Sequence, residues 1–349
     1  MARIKTRILI LSDTHGHSPV PTRAEDDLSL TSDFCLATTG YREPLPSADV
    51  ALHCGDLTTR TTPWEFRRTV AMLRSLRASL KIVIPGNHDR ALDEAFWTST
   101  QDSGNGYVMT KDPEYRTEAL ELLEEAKKDG VVYIGKEGEY SFPLANGAVL
   151  RIYASPWTPE YGTWGFQYSP ETGHDFHIPA GIDIAMTHGP PRDVLDLAGF
   201  NLPQYNMQQE HAGCPDLFTA VARARPRIHC FGHIHEAWGA YLARWRADTK
   251  STEKHTTVEK AIDAVASRSI VRLQDIKPMT VLDPPATEEQ AKQLMEWSRQ
   301  MGVHINLEEA RGEGHEVEDT LFLNAAIEGH RQKPSQLPFI IDMLLDKTT

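Results

Sequence analysis

The sequence predicts an α/β fold, and three observations lead to that prediction. Short apolar runs alternate with segments of helical periodicity, which is typical of α/β architecture. Several of these runs are apolar throughout, as expected for strands that are covered on both faces. The chain has 349 residues, of which 40% are hydrophobic and 24% charged, so it can bury a sizeable core.

Eight apolar runs are predicted to be strands. They lie at residues 7–12, 50–54, 81–86, 131–135, 149–155, 182–189, 227–233 and 320–326. Because the last run comes so late, we expect one domain over residues 1–349, with residues 240–319 as an insertion. Residues 16–48, 90–115 and 156–180 are long polar or aromatic-rich stretches, and we expect them to be further insertions.

Five segments between the strands are predicted to be helices. They lie at residues 62–76, 115–130, 214–226, 253–268 and 287–301. In the first, Thr62 is the expected N-cap, Pro63 occupies the first helical position and Glu65 completes a capping box. The last opens with a second capping box, formed by Thr287 and Gln290.

Charge and cysteine content limit the possible functions. The net charge of −13 gives a nucleic-acid partner no electrostatic support. Four dispersed cysteines argue against a structural zinc site or a disulfide framework, and they favour a reducing compartment, the cytoplasm. No segment has the length and apolar character of a membrane span, and the apolar run near the N-terminus predicts a strand rather than a signal peptide.

Polar side chains directly follow five of the predicted strands. The segments SDTHGH, CGDLT, PGNHDR, MTHGPP and FGHIHE supply Asp13, His15, Asp56, Asn87, His88, Asp89, His188, His233 and His235. Since ligand sites of open α/β sheets form beyond the carboxyl ends of strands, we expect these side chains to meet at one sheet edge. Each segment alone is better explained as a turn, but five at strand ends indicate a site.

In this order, SDTHG, HCGDL, PGNHD, THGPP and GHIH resemble the five signature blocks of the calcineurin-like metallophosphoesterases. The segments SPWTPEYGTWGFQ, THGPPRDVLD, GCPDL and FGHIHEAWG are most similar to the metallophosphoesterase-domain-containing (MPPED-type) branch, some of whose relatives hydrolyse cyclic nucleotides. The resemblance implies two mixed β-sheets packed as a sandwich and flanked by helices, in the four layers αββα.

The resemblance also implies two divalent metal ions. Seven side chains would be ligands: Asp13, His15 and His235 for the first ion, Asn87, His188 and His233 for the second, and Asp56 for both. Mixed oxygen and imidazole ligands suit Mn²⁺, Fe or Zn²⁺ better than Mg²⁺, and we expect manganese. His88 would be the general acid, and Asp89 would either support His88 or cap a turn.

Other polar and aromatic residues have simpler explanations. His53 and His229 lie inside apolar runs and are predicted to be buried core residues. The aromatic residues between 157 and 166 would either stack on a ring of the substrate or hold their own loop in place, and the second interpretation is favoured.

These features predict a dinuclear metal-dependent phosphoesterase. A metal-activated hydroxide would attack a phosphodiester or phosphomonoester, such as a small phosphate ester or a nucleotide, with cyclic nucleotides among the candidates. A phosphoprotein phosphatase of the same superfamily would carry GD-x-x-D-R-G where this chain has GDLTTRT. The alternative from another class is a non-catalytic scaffold that binds metal or nucleotide, and the complete set of ligand positions together with His88 favours catalysis over it.

Overall fold

Two large β-sheets form the centre of the molecule. The computed structural model describes residues 2–21, 41–99, 112–200, 202, 206–247, 255–276, 285, 287–312, 318–329 and 332–348. The strands of the two sheets are β1 (Arg3–Leu11), β2 (Val50–His53), β3 (Leu80–Val83), β4 (Val131–Tyr133), β5 (Gly138–Pro143), β6 (Val149–Ser155), β7 (Ile184–Thr187), β8 (Ile228–Phe231), β9 (Gly239–Arg244), β10 (Arg268–Arg272), β11 (Val303–Asn306), β12 (Asp319–Asn324) and β13 (Phe339–Asp346).

The helices lie between these strands in the chain. They are α1 (Pro63–Ser75), α2 (Glu94–Thr98), α3 (Pro113–Ala126), α4 (Pro215–Ala224), α5 (Val258–Ala261), α6 (Leu273–Ile276), α7 (Glu288–Arg299) and α8 (Leu307–Arg311). Within the described ranges, no helix has both the length and the apolar character needed to cross a membrane.

Both sheets are mixed. The first has six strands in the order β11-β13-β1-β2-β3-β4, and the second has seven in the order β10-β9-β12-β8-β7-β6-β5. In the first sheet β1, β2, β3 and β4 are parallel, while β13 runs antiparallel to β1. In the second sheet β6, β7, β8 and β12 are parallel. The carboxyl ends of the parallel strands therefore share one edge in each sheet.

The two sheets pack face to face, and helices cover their outer faces. Side chains of β1 alternate between the layers. Ile8 and Ile10 belong to the core between the sheets, whereas Leu9 and Leu11 pack in the core beneath α1 and α3. On the other side α4 packs on the second sheet. This arrangement confirms the predicted αββα sandwich.

The local signals of three predicted helices are confirmed. In α1 the Thr62 hydroxyl accepts from the Glu65 amide and the Glu65 carboxylate accepts from the Thr62 amide, which completes the capping box. The same reciprocal pair of bonds joins Thr287 and Gln290 at α7. Beyond α3 the chain turns at Gly130, whose φ of 78° favours glycine.

The predicted helix at 253–268 is wrong over most of its length. Residues 253–254 lie outside the described residues, and the segment contains only the four-residue α5 before β10 begins at Arg268. Ile262 instead forms an antiparallel bridge with Trp245, and the amide of Asp263 donates to the carbonyl oxygen of Arg244 at the end of β9. Strands β10 and β11 lie inside the predicted insertion 240–319, and each joins one of the two sheets.

The other predicted insertions are described in part. Residues 22–40 of the stretch 16–48, and residues 100–111 of the stretch 90–115, lie outside the described residues. Residues 156–180 are described throughout and contain two short strands, Thr158–Pro159 and Gln167–Tyr168, which pair with each other.

Candidate metal centre

The loops after five strands bring the predicted ligands together at one edge of the sandwich. Asp13 and His15 follow β1, Asp56 follows β2, Asn87 follows β3, His188 follows β7, and His233 and His235 follow β8. Ligand atoms lie within 4.8 Å of one another in two groups: Asp13 with His15 and His235, and Asp56 with His188 and His233. The two histidines of the segment GHIH thus belong to different clusters.

In the second cluster, lone pairs face one another. The Nδ1 atom of His188 lies 2.9 Å from the carbonyl oxygen of Cys54, which can only accept, so Nδ1 carries the proton. The bare Nε2 of the neutral ring then faces Asn87 Oδ1 at 2.9 Å and Asp56 Oδ1 at 3.4 Å. A cation at this point, either a proton on Nε2 or a metal ion bound to the neutral ring, satisfies all three atoms, so these residues fit a metal ion.

The first cluster has the same design. Nδ1 of His15 donates to the carbonyl oxygen of Thr58 at 3.2 Å, so the neutral ring leaves Nε2 bare. That atom lies 3.4 Å from Nε2 of His235, which in turn lies 3.3 Å from Asp13 Oδ1. Backbone carbonyls therefore orient a histidine of each cluster, as they commonly do for metal-binding imidazoles.

Asp56 lies between the two clusters. Its Oδ1 faces His188 Nε2 at 3.4 Å, and its Oδ2 faces His15 Nε2 at 3.6 Å. The backbone amide of His88 donates to Oδ1 at 2.8 Å and fixes the carboxylate. One carboxylate can therefore serve both clusters.

Electrostatic coupling between acids and imidazoles shifts the pKa values at this edge. Burial opposes ionisation of Asp13, but its hydrogen bond to His235 and the charge of that ring lower the pKa of Asp13 to about 2. Burial would lower the pKa of His188, but the charge of Asp56 raises it to about 9. Burial raises the pKa of Asp56, but the charges of His188 and His88 bring it well below the usual value. Protons on imidazoles thus balance the carboxylates when no cation does.

The backbone of the centre is conformationally demanding. Asp13, His15, Asp56 and His233 have φ between 46° and 69°, a region that costs most residues energy and is frequent at functional sites. Gly232 allows β8 to approach Asp13, because a Cβ at that position would overlap Asp13 Oδ2.

His88 and Asp89 have different surroundings. Nδ1 of His88 donates to the carbonyl oxygen of Thr59 at 2.9 Å, and its ring lies 4.9 Å from that of His15. The carboxylate of the fully buried Asp89 accepts hydrogen bonds from Gly86, Leu57 and Thr58.

The bonds of Asp89 join the loops after β2 and β3. Within the described residues none of them runs to His88. Burial and the nearby charge of Asp56 raise the pKa of Asp89 to about 7. These bonds of Asp89 agree with the interpretation that it caps a turn. Its predicted support of His88 stays a prediction.

An aromatic loop covers one side of the centre. This aromatic loop, residues 156–168, places the Trp164 ring 4.2 Å from the ring of His88. The guanidinium of Arg90 lies 5.0 Å from the Trp164 ring. The amide of Asn87 donates to the hydroxyl of Tyr161 at 2.9 Å. The favoured prediction is that these aromatic residues simply hold their own loop in place. The structure shows that they also contact residues of the site.

Two carboxylates outside the predicted set pair with histidines of this region. Glu328, beyond β12, is buried with Oε1 3.6 Å from Nδ1 of His235, and burial raises its pKa to about 7. Glu137 accepts hydrogen bonds from His174 at 2.7 Å and from Ser155 at 2.8 Å, which joins the segment after the aromatic loop to β6.

A signal for Glu328 is present in the sequence, because it closely follows a predicted strand, as the ligands do. Glu137 has no such signal. Of the remaining histidines, His53 and His229 are buried as predicted, each with one ring nitrogen bonded to a threonine hydroxyl.

Comparison with known proteins identifies relatives of this chain. The family model described as calcineurin-like phosphoesterase matches residues 6–237. Metallophosphoesterase domain-containing protein 1 from Homo sapiens is 31% identical over 277 residues, which cover 76% of this chain and 75% of that protein. The resemblance to the MPPED-type branch is thereby confirmed.

Two other similar proteins share a smaller part of their length with this chain. Probable rhamnogalacturonate lyase C from Emericella nidulans is 31% identical over 235 residues, which cover 66% of this chain and 20% of that protein. The likeness therefore concerns one part of that longer protein. The solved structure of the purple acid phosphatase PPD1 from yellow lupin, Lupinus luteus, is 16% identical and covers 71% of this chain and 40% of that chain, with a TM-score of 0.33. A likeness this low supports no inference.

Proposed function

This chain belongs to the calcineurin-like phosphoesterase family, and from that membership we propose that it hydrolyses a small phosphate ester carrying a planar aromatic or heterocyclic group. The chain is a metal-dependent phosphoester hydrolase, and its two ligand clusters indicate a dinuclear divalent metal site. The substrate, the individual ligands and the identity of the metal are our proposals.

The observation that carries the proposal is the position of Asp56. A carboxylate that faces one imidazole at 3.4 Å and another at 3.6 Å, in separate clusters, is suited to hold two cations a short distance apart. We assign Asp13, His15 and His235 to one ion, Asn87, His188 and His233 to the other, and Asp56 to both. The mixture of oxygen and imidazole ligands supports manganese, with iron or zinc as alternatives.

The chain's own residues supply the remaining functions. When bound, the two ions provide Lewis-acid activation of water and neutralise charge on the phosphate. His88 is held through Nδ1 by the Thr59 carbonyl oxygen, so its Nε2 is the atom that would give a proton to the leaving oxygen. The loop bonds of Asp89 fix the segment that carries Asn87 and His88.

The rings of Tyr161 and Trp164 support a planar group next to the phosphate. They lie beside the candidate ligands and the candidate acid, and base–aromatic stacking stabilises bound rings without requiring a specific base. Cyclic nucleotides and aryl phosphodiesters both have this chemistry.

The experiment compares two buried aspartates. Protein stripped with EDTA and reloaded with Mn²⁺ is assayed with bis-p-nitrophenyl phosphate, p-nitrophenyl phosphate and cyclic AMP. Asp56→Asn should lower turnover at least ~100-fold. Even removing a residue that only hydrogen-bonds to a metal ligand typically lowers metal affinity or activity about 10- to 100-fold. Asp196→Asn is the matched control, because Asp196 is 1% exposed and Asp56 is 2% exposed.

Manganese-dependent turnover that only Asp56→Asn abolishes would support the proposal. If the metal-loaded wild type hydrolyses none of the three esters, the catalytic proposal fails and a metal-binding scaffold becomes the better explanation. A preference for the monoester over both diesters would identify the substrate as a phosphomonoester, and the reverse preference would identify it as a phosphodiester.

We also propose the cytoplasm as the place of action. The support is the four dispersed cysteines, of which Cys54, Cys214 and Cys230 are free thiols within the described residues. Fractionation of cells that express the full-length protein tests this directly.

A further inference from the structure

The tip of the aromatic loop is fastened to the loop that carries Asn87. The amide of Gly165 donates to the carbonyl oxygen of Asn87 at 3.0 Å, and the amide of Phe166 donates to Asp93 Oδ2 at 2.7 Å. A further bond closes the loop on itself, because the amide of Thr158 donates to the carbonyl oxygen of Phe166 at 2.9 Å. The tip therefore has a fixed place beside the second ligand cluster.

The Asn87 side chain connects the cluster to Tyr161. Its Oδ1 lies 2.9 Å from His188 Nε2, and its Nδ2 donates to the Tyr161 hydroxyl at 2.9 Å. The phenolic oxygen is therefore the acceptor in this bond, and its own proton remains available. Within the described residues the structure gives that O–H group no acceptor.

The ring of Tyr161 is open to a substrate although its hydroxyl is fixed. The side chain is 58% exposed. Its ring lies 5.3 Å from the ring of His233 and 6.4 Å from that of Trp164, and Trp164 lies 4.2 Å from His88. The hydroxyl thus lies beside Asn87 of the second cluster, and Trp164 lies between the Tyr161 ring and the residue proposed as the general acid.

We propose that Tyr161 is a further catalytic residue, whose hydroxyl donates a hydrogen bond to a phosphoryl oxygen of the substrate. The inference rests on the proposed phosphoesterase function. Asn87 aims the phenolic oxygen, and the O–H bond stays intact throughout, so the group acts as a fixed dipole and not as a proton source. Donors aimed at oxygens that gain negative charge stabilise the transition state without reorganisation.

Tyr161→Phe tests the hydroxyl alone because the ring is kept. Removing one such donor should lower kcat by about 100-fold with KM within about threefold. Calorimetric titration with Mn²⁺ should find the same number of ions in wild type and variant. Inorganic phosphate, the product shared by all monoesters, should bind the manganese-loaded variant about 10-fold more weakly, as expected for loss of a hydrogen bond to a charged group.

Tyr140→Phe is the control, since that hydroxyl donates to the carbonyl oxygen of Lys136 on an exposed turn. It should match wild type in every measurement. Equal kcat and equal phosphate affinity in wild type and Tyr161→Phe would overturn the inference. Loss of manganese binding in Tyr161→Phe would also overturn it, because the role would then be support of Asn87. If wild type hydrolyses no ester, the proposed function fails, whereas phosphate affinity still decides whether Tyr161 donates to a phosphoryl oxygen.

Discussion

Among the described residues, the centre and one further group have a similar composition, but only the centre has the character of a metal site. The ligand atoms of Asp193, Asp196 and His211 come within 4.8 Å of one another, as do those of each cluster at the sandwich edge. Yet Asp196 Oδ2 accepts from the amides of Asp193 and Gly213 at 3.0 Å each, and its Oδ1 accepts from His211 Nδ1 at 2.7 Å. We call Asp193, Asp196 and His211 the surface triad.

The difference lies in where the ring protons are. In the surface triad Nδ1 of His211 donates to the carboxylate, so the group satisfies itself. In the centre, backbone carbonyls take the Nδ1 protons of His15 and His188, and the opposite nitrogens face Asp56, where a metal ion can take the place of a proton. Residue types alone therefore do not define a metal site, because the hydrogen bonds around them determine whether a cation is needed.

Metal titration is the strongest test of this comparison. Calorimetry of the EDTA-treated protein should find two manganese ions per chain, and Asp196→Asn should still bind two. Asp56→Asn should weaken binding at least ~100-fold, because one side chain faces both clusters. A third ion that disappears in Asp196→Asn would show that the surface triad binds metal and would break the distinction.

Gly232→Ala should have the next largest effect. The added Cβ would overlap Asp13 Oδ2, so the carboxylate must move and turnover should fall about 10- to 100-fold. Gly181→Ala is the control, because its added Cβ meets no atom within 4 Å, although the φ of Gly181 is positive (83°). The control should lose about 1 kcal/mol of stability and keep its turnover. Equal turnover in both variants would contradict the packing argument.

Bound metal should oppose the pH dependence of stability that the centre has without metal. The pKa values of His188 and His235 are raised from 6.5 to about 9, despite burial, by Asp56 and by Asp13 respectively. The stabilisation from these protons is present below pH 6.5 and is lost as pH rises through about 9. Histidines bind a metal ion only as neutral imidazoles, so the affinity for metal rises over the same pH range.

The measurement is Tm between pH 6.5 and 9 with EDTA and with Mn²⁺. The Tm in EDTA should fall with pH, while the increment from Mn²⁺ should grow. His211→Asn should leave that increment unchanged, since His211 belongs to the surface triad. An increment that does not vary with pH would rule out proton displacement from the two imidazoles.

Glu137→Gln should have the smallest effect. It weakens the partly buried bond with His174 that joins the segment after the aromatic loop to β6, at a cost of about 1 kcal/mol in unfolding free energy. Urea denaturation measures that cost. Turnover should fall only about two- to fivefold, because Gly165 and Phe166 still fasten the tip to the site. A loss of turnover as large as that of Gly232→Ala would mean that the Glu137–His174 bond, and not the bonds of Gly165 and Phe166, positions the aromatic loop.

Much of the fold was accessible from sequence because its signals are local. Each of the eight apolar runs contains a strand, and both capping boxes form as their residues predict. The segment 253–268 failed because bonds of Ile262 and Asp263 to Trp245 and Arg244, at the end of β9, outweigh local helical preference. Edge strand β5 was not predicted, since its residues are half-exposed and give no continuous apolar run.

The sequence by itself determined which residue types stand at the carboxyl ends of the strands, and the parallel pairing of those strands brings them to one edge. Only the tertiary structure decided how the groups are used. Tyr161 lies 74 positions from Asn87 and Glu137 lies 37 from His174, and no local pattern records such contacts. The tautomers that set the centre apart from the surface triad likewise depend on carbonyl groups of Cys54 and Thr58, which every residue possesses and which only folding aims.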